Sequence, residues 1–219
     1  MLARAMSGSV RAVVFDMDGT LVVSHEAITD AYAATLVHLG AAPRSRQEIV
    51  RAFPLGPAAA ILARLLERPV SGEELESYFR QLGLRARRVR AYPGVVAALA
   101  LLAERAPLGV FSGASTRSCE ILLEATLLRP YFTAIVGGDL VERPKPAPDG
   151  IVATCTHLGL PPSDVAYVGD SPLDLEAARS AGALAVAAGW GELFDPANEA
   201  DVVAGAPAEL LSLVREQPG

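Results

Sequence analysis

The chain has 219 residues, a net charge of −6 and 51% hydrophobic residues, which predict one globular domain with room for a small insertion. No apolar run approaches the ~20 residues of a membrane helix, and an acidic balance gives no electrostatic reason to expect nucleic acid or a membrane surface as partner. The two cysteines, Cys119 and Cys155, have no CxxC spacing, which argues against a disulfide scaffold or a zinc ribbon.

In chain order, the first segment is MLARAMSGS, which lacks the apolar stretch of a signal peptide. We therefore expect a soluble cytoplasmic protein, a monomer or a homodimer. Residues 10–15 form a β-branched and apolar run that predicts a buried strand ending at Asp16. From about Ser24 to Arg90, apolar residues recur at the spacing of helix faces, and no strand is predicted there.

After residue 94, predicted strands and helices alternate. This alternation predicts an α/β fold, a Rossmann-like parallel sheet with helices on both faces. The helical block before it is too long for one crossover helix, so it predicts an inserted all-helical cap at 23–90 and a core made of 1–22 and 91–219. The later strands are predicted at 108–111, 134–136, 165–168 and 184–186, and the helices at 94–105, 115–126, 147–158 and 172–181.

Polar residues follow four of the predicted strands. Ligands of open parallel sheets bind beyond the carboxyl ends of the strands, so these residues are candidates for a functional site. The carboxylates are Asp16, Asp18, Asp170 and Asp174, and the other groups are Ser112, Gly113, Ala114 and Lys145.

Lys145 is the single lysine among 19 basic residues, the rest being arginine. A lysine provides a compact point charge on a flexible stem, whereas arginine provides a planar fork. Its position among the strand-end residues therefore indicates a function rather than a solvated loop cation.

Several carboxylates in one pocket repel one another unless a cation neutralises them. Mg²⁺ needs only one or two carboxylates together with water and substrate. Lys145, the Ser112 hydroxyl and the backbone N–H groups of Gly113 and Ala114 suit an anion such as phosphate.

A metal beside a phosphate-like anion indicates phosphoryl transfer. Asp16 is then the nucleophile, forming an aspartyl-phosphate. Asp18, two residues later, protonates the leaving oxygen and then activates water.

These segments resemble the haloacid dehalogenase (HAD) superfamily. Asp16-x-Asp18-Gly19-Thr20 is similar to its first motif, Ser112 to its second, Lys145 to its third, and Gly169-Asp170-x-x-x-Asp174 to its fourth. The resemblance covers about residues 10–189, and the helical insert resembles the C1 cap of phosphoglycolate phosphatase-like members.

The resemblance implies roles for these residues. Asp16, the backbone carbonyl of Asp18 and Asp170 would bind Mg²⁺, while Asp174 would support Lys145 or the water shell of the metal. Thr20 is a supporting residue that favours a phosphatase, because β-phosphoglucomutase relatives usually carry Val or Ile there.

Two positions in the cap bear on specificity. The mutases also carry a hinge histidine where this chain has Ile28. His25, three residues earlier, is the candidate that could replace it. Arg51 lies where related caps present a substrate-specificity loop, and a plain helix–helix turn explains that segment equally well.

We therefore expect a Mg²⁺-dependent phosphatase acting on a small phosphate monoester: phosphoglycolate, a sugar phosphate or a phosphorylated metabolite. The alternatives are a β-phosphoglucomutase-like phosphomutase and a non-catalytic binding protein on the same fold.

Overall fold

The structure, a computed structural model, describes residues 10–214. The N-terminal segment, whose lack of a signal peptide is a prediction from sequence, lies outside these residues, as do the two ends of the predicted core, 1–9 and 215–219. Within 10–214, no helix has both the length and the apolar character that crossing a bilayer requires.

A parallel sheet forms the centre of the fold. In chain order the strands are β1 (Ala12–Phe15), β2 (Val22–Val23), β3 (Arg90–Ala91), β4 (Leu108–Ser112), β5 (Ala134–Gly137), β6 (Val165–Gly169), β7 (Leu184–Ala188) and β8 (Val202–Ala204). Six of them form one sheet in the order β5-β4-β1-β6-β7-β8, and every neighbouring pair in it is parallel. The strand β1 therefore lies between β4 and β6.

Helices connect and cover these strands. They are α1 (His25–His38), α2 (Arg46–Ala52), α3 (Ala58–Leu66), α4 (Gly72–Ala86), α5 (Val95–Ala103), α6 (Thr116–Ala125), α7 (Asp149–Leu158) and α8 (Pro172–Ala181).

Both faces of the sheet are buried by helices. Val13 and Phe15 of β1 belong to the core that includes apolar residues of α5 and α6. Ala12 and Val14, which alternate with them, belong to a second core with α7 and α8. Successive side chains of a strand point to opposite faces, so the apolar run of β1 fills both cores. The predicted α/β fold with helices on both faces is confirmed.

The four helices α1–α4 lie between β2 and β3. The helices α2 and α4 each begin with a capping box, in which Ser45 pairs with Glu48 and Ser71 with Glu74, a motif that satisfies free N–H groups of the first turn. The rings of Tyr32 on α1 and Tyr78 on α4 stack at a centroid distance of 4.3 Å. This ring pair joins α1 to α4, and both rings belong to the same hydrophobic core as Val13 and Phe15 of β1.

Two differences from the predicted elements concern short strands. The helical pattern was predicted to run to Arg90, but α4 ends at Ala86 and Arg90 pairs with Val23 in an antiparallel ribbon. Strand β8 was not predicted at all. Elements of two or three residues show no periodicity, because their pairing is imposed by the surrounding chain. The ribbon of β2 and β3 pairs the residues where the predicted cap, 23–90, begins and ends. The domain boundaries themselves stay a prediction.

Candidate active site

The central strand carries the first acidic residue of the site. Asp16 follows β1, and its backbone N–H donates to the carbonyl of Val168 at 2.8 Å. Ser112 ends β4 and Asp170 follows β6, so the flanking strands bring both residues to the edge where Asp16 lies. Asp16, Ser112 and Asp170 are all buried.

Lys145 joins two of the carboxylates. Its Nζ donates to Asp16 Oδ1 at 2.5 Å and to Asp174 Oδ1 at 2.6 Å, and only 11% of its side chain is exposed. Burial opposes the ammonium charge, but the two carboxylates together outweigh it, and the pKa of Lys145 lies well above its usual value. The amine is therefore a fixed cation in the site.

One lysine does not balance the carboxylates. Burial raises the pKa of Asp16 well above its ordinary value, and Asp174 and Asp18 add to the rise, although Lys145 opposes it. Burial also raises the pKa of Asp170. A site that disfavours its own negative charge in this way attracts a further cation.

A cluster of three carboxylates is suited to hold that cation. Ligand oxygens of Asp16, Asp170 and Asp174 lie within 4.8 Å of one another. In the part of the chain that the structure describes, the third member of this cluster is Asp174. The family resemblance instead implies the backbone carbonyl of Asp18 as the third ligand.

Asp170 is held at both oxygens. Thr20 Oγ1 donates to Oδ1 at 3.5 Å, and the backbone N–H of Leu193 donates to Oδ2 at 2.8 Å. A Cβ at Gly19 would lie 2.5 Å from Asp170 Oδ2, and one at Gly191 would lie 2.2 Å from Asp170 Cβ. The glycine that follows Asp18 therefore leaves space for the carboxylate across the sheet edge, and Thr20 lies where a supporting residue was predicted.

Asp18 points toward the start of the cap. Its Oδ1 accepts a short hydrogen bond from the Ser24 hydroxyl. Burial raises the pKa of Asp18, while Ser24, Lys145 and His25 lower it. A carboxyl with a raised pKa is better able to carry a proton near neutral pH, which suits the predicted acid and base.

The predicted phosphate-binding segment lies at the end of β4. Ser112 Oγ accepts from the N–H of Ala114 at 3.1 Å, while the N-cap of α6 is Ser115, so Ser112 does not cap that helix. A Cβ added at Gly113 would meet no atom within 4 Å, so there is open space on that side of the residue. Gly56, between α2 and α3, lies against this segment, where a Cβ would be 3.4 Å from the Gly113 carbonyl oxygen.

His25 and Arg51 lie in different surroundings. His25 is exposed at the start of α1, acts on the pKa of Asp18, and packs against the ring of Phe53 at 5.2 Å. Arg51 is exposed and lines a cavity of about 410 Å³ between α2 and α3. Asp16, Asp18 and Lys145 do not line this cavity, so the structure brings His25, but not Arg51, into the electrostatic reach of Asp18.

Four contacts in the site come from residues that the sequence did not single out for it. The Ser24 hydroxyl binds Asp18, and the indole N–H of Trp190 donates to the Thr20 carbonyl at 2.9 Å. Phe111 and Tyr167 border Lys145. Tyr167 alone carried a readable signal, since a tyrosine in an otherwise apolar buried strand needs a partner for its hydroxyl.

Comparison with known proteins identifies the family of the chain. The sequence pattern of the family described as haloacid dehalogenase-like hydrolase matches residues 13–188. A phosphoglycolate phosphatase of Chromobacterium violaceum is 34% identical, over 94% of this chain and 97% of its own length. The pyrophosphatase PpaX of Listeria innocua is 28% identical, over 97% of this chain and all of its own.

A solved structure has the same fold. The crystal structure of CbbY from Rhodobacter sphaeroides in complex with phosphate superimposes with a TM-score of 0.78 and 25% identity, covering 92% of this chain and 96% of that one.

Proposed function

The chain belongs to the haloacid dehalogenase-like hydrolases and is a phosphatase of that family, and we propose that it is a Mg²⁺-dependent phosphomonoesterase that works through an aspartyl-phosphate on Asp16. The observation that carries this proposal is the position of Asp16. It lies at the end of the central strand, 2.5 Å from the Lys145 amine and within 4.8 Å of the Asp170 carboxylate.

The acidic cluster fits a hard divalent cation. Mg²⁺ prefers carboxylate, carbonyl and water oxygens, and the cluster offers oxygens only. Asp174 binds Lys145 with one oxygen and Ser171 with the other. The family resemblance implies Asp16, Asp170 and the backbone carbonyl of Asp18 as the ligands, and we propose that set here. When bound, the cation neutralises charge on the phosphate oxygens.

The residues of the chain supply the transfer itself. A carboxylate oxygen of Asp16 attacks phosphorus as the bond from phosphorus to the ester oxygen breaks. Asp18 gives its proton to that leaving oxygen, then takes one from the water that hydrolyses the aspartyl-phosphate. Lys145, the Ser112 hydroxyl and the Gly113 N–H stabilise negative charge on the phosphoryl group.

The candidate substrates follow from the relatives. Phosphoglycolate is the first candidate because of the phosphoglycolate phosphatase relative. Pyrophosphate is an anhydride and not an ester, and it is tested beside the esters because of the pyrophosphatase relative. Sugar phosphates and phosphorylated metabolites remain within the proposed class.

Two alternatives make different predictions. A phosphomutase would return the phosphoryl group to a substrate hydroxyl and release no free phosphate. Ile28, half-buried on α1, stands where that branch of the family carries histidine. A binding protein without turnover would not need Asp18 as acid and base.

The test is phosphate release from a panel of these esters, with Mg²⁺ or with EDTA. Wild type should release phosphate only with Mg²⁺, and Asp16→Asn should lose at least about 1,000-fold in kcat. Asp164→Asn is the matched control, since Asp164 pairs with Arg11 away from the site, and it should keep full activity. Turnover that survives in Asp16→Asn, or that ignores EDTA, would overturn the proposal.

A further inference from the structure

The side chain of Tyr167 lies across β1, the strand that Asp16 follows, beneath the site. It lies on β6, where its Cα pairs in register with Val14 of β1. Its hydroxyl donates to the carbonyl of Phe111 on β4 at 2.9 Å. Because β1 lies between β6 and β4, this hydrogen bond joins two strands that are not neighbours in the sheet. It therefore ties together the strands on both sides of Asp16.

The same hydroxyl reaches the acidic residue that holds Lys145. Tyr167 OH lies 3.3 Å from Asp174 Oδ1, the oxygen that also accepts from Lys145 at 2.6 Å, so its single proton is shared between this oxygen and the nearer Phe111 carbonyl. The other oxygen of Asp174 accepts from the hydroxyl and the N–H of Ser171. Both oxygens of Asp174 are thus fixed, one by α8 and one by the Lys145–Tyr167 pair.

Two aromatic rings border the Lys145 amine. Its Nζ lies 5.0 Å from the ring centroid of Phe111 and 5.3 Å from that of Tyr167, within the range of cation–π attraction. The Phe111 ring needs Gly150 beside it, because a Cβ there would lie 1.9 Å from Cε2. Tyr167 and Phe111 are fully buried, so the two rings form a rigid floor for the lysine.

We propose that Tyr167 is a positioning residue, which holds the Lys145 amine against Asp16 through Asp174 and through its own ring. This inference rests on the proposed phosphatase activity. A lysine side chain has a long flexible stem, and its two ion pairs alone do not fix the direction from which the amine approaches. The hydroxyl of Tyr167 fixes the position of Asp174 Oδ1, which accepts the hydrogen bond from the Lys145 amine. The ring of Tyr167 limits the space below that amine.

The test begins with Tyr167→Phe, which removes only the hydroxyl. A small misplacement of a catalytic group costs up to about 100-fold in rate, so kcat should fall about 10- to 100-fold while KM changes less than about threefold. Thr154→Val is the matched control. Its buried hydroxyl bonds within α7 to Gly150 and has no contact with the charged groups, so kcat should stay within about twofold of wild type.

A double-mutant cycle separates positioning from loss of stability. If Tyr167 acts through Asp174, then Tyr167→Phe should cost less than about twofold in the Asp174→Asn background, because interacting residues are non-additive. The thermal midpoint of each variant identifies any unfolded fraction, for which kcat is corrected.

Two results would overturn the inference: a kcat in Tyr167→Phe within twofold of wild type, or an equal loss with and without Asp174. A wild-type protein that releases no phosphate from any ester would instead overturn the proposed function, so the two failures are distinct.

Discussion

The Ser24 hydroxyl donates a hydrogen bond to the Asp18 carboxylate. Ser24 is the residue directly before α1, whereas Asp18 lies in the turn after β1. The beginning of the cap is therefore bonded to the proposed acid and base. Any movement of α1 that carries Ser24 with it changes a partner of the group that moves the proton.

Ser24→Ala should lower kcat about 10-fold with a smaller change in KM. The loss of one hydrogen bond to a charged group, worth about 1.5–3 kcal/mol, leaves Asp18 free to turn. Steady-state kinetics check this, and Ser24→Thr should restore most of the rate. Ser77→Ala is the control, since its buried hydroxyl has no partner among the described residues. Equal kcat in wild type and Ser24→Ala would refute the expectation.

Lys145→Arg should lower kcat/KM about 100-fold despite keeping the charge. The amine sits 2.5 Å from Asp16 and 2.6 Å from Asp174, and a planar guanidinium cannot occupy that space without displacing one of them. Arg143→Lys, two residues away at an exposed ion pair with Asp149, should behave like wild type. A Lys145→Arg enzyme with normal kcat/KM would show that only the charge matters.

Gly19→Ala should raise the Mg²⁺ concentration needed for half-maximal activity. Its φ of +87° disfavours alanine by about 1–3 kcal/mol, and the new Cβ would collide with Asp170 Oδ2. Mg²⁺ titration of the activity and urea unfolding check both effects. Gly83→Ala, on the exposed face of α4 with open space around it, should instead stabilise the fold by about 0.5–1 kcal/mol. An unchanged Mg²⁺ requirement in Gly19→Ala would contradict the proposed role of Asp170.

The free energy of unfolding should fall as pH rises above 10. Burial raises the pKa of Tyr78 to about 12, so between pH 10 and 12 the folded chain keeps a proton that the unfolded chain loses. The cost grows to about 2–3 kcal/mol at the upper end of this window. Urea unfolding between pH 9 and 11 checks it, and Tyr78→Phe should show a shallower fall. Parallel curves for the two proteins would exclude Tyr78 as a cause.

The large elements of the fold could be predicted because their sequence patterns are long. Buried parallel strands such as β1 and β6 are mainly apolar runs, and each is followed directly by an aspartate. The ribbon of β2 and β3 could not be predicted, because two residues have no period. Its pairing of Val23 with Arg90 depends on the chain leaving and re-entering the core at one place.

The site likewise contains residues that the sequence predicts and contacts that it does not. The proximity of Asp16 and Asp170 could be predicted because polar groups at the ends of parallel strands converge on one edge, and Lys145 stood out as the single lysine of the chain. The contact from Tyr167 to Phe111 was not readable, because it depends on β1 lying between β4 and β6, and sequence periodicity does not give strand order. The partners of Asp18 and Asp174 depend on side-chain directions that only the folded chain defines.

The solitary lysine has a practical consequence. Amine-selective reagents that modify many surface sites on ordinary proteins have a single side-chain target here, and it is 11% exposed and bonded to Asp16. Reductive methylation with ¹³C-formaldehyde would give one ε-amine resonance, besides that of the α-amino group, in the centre of the proposed active site. That resonance would report phosphate or metal entering the site without any engineered label.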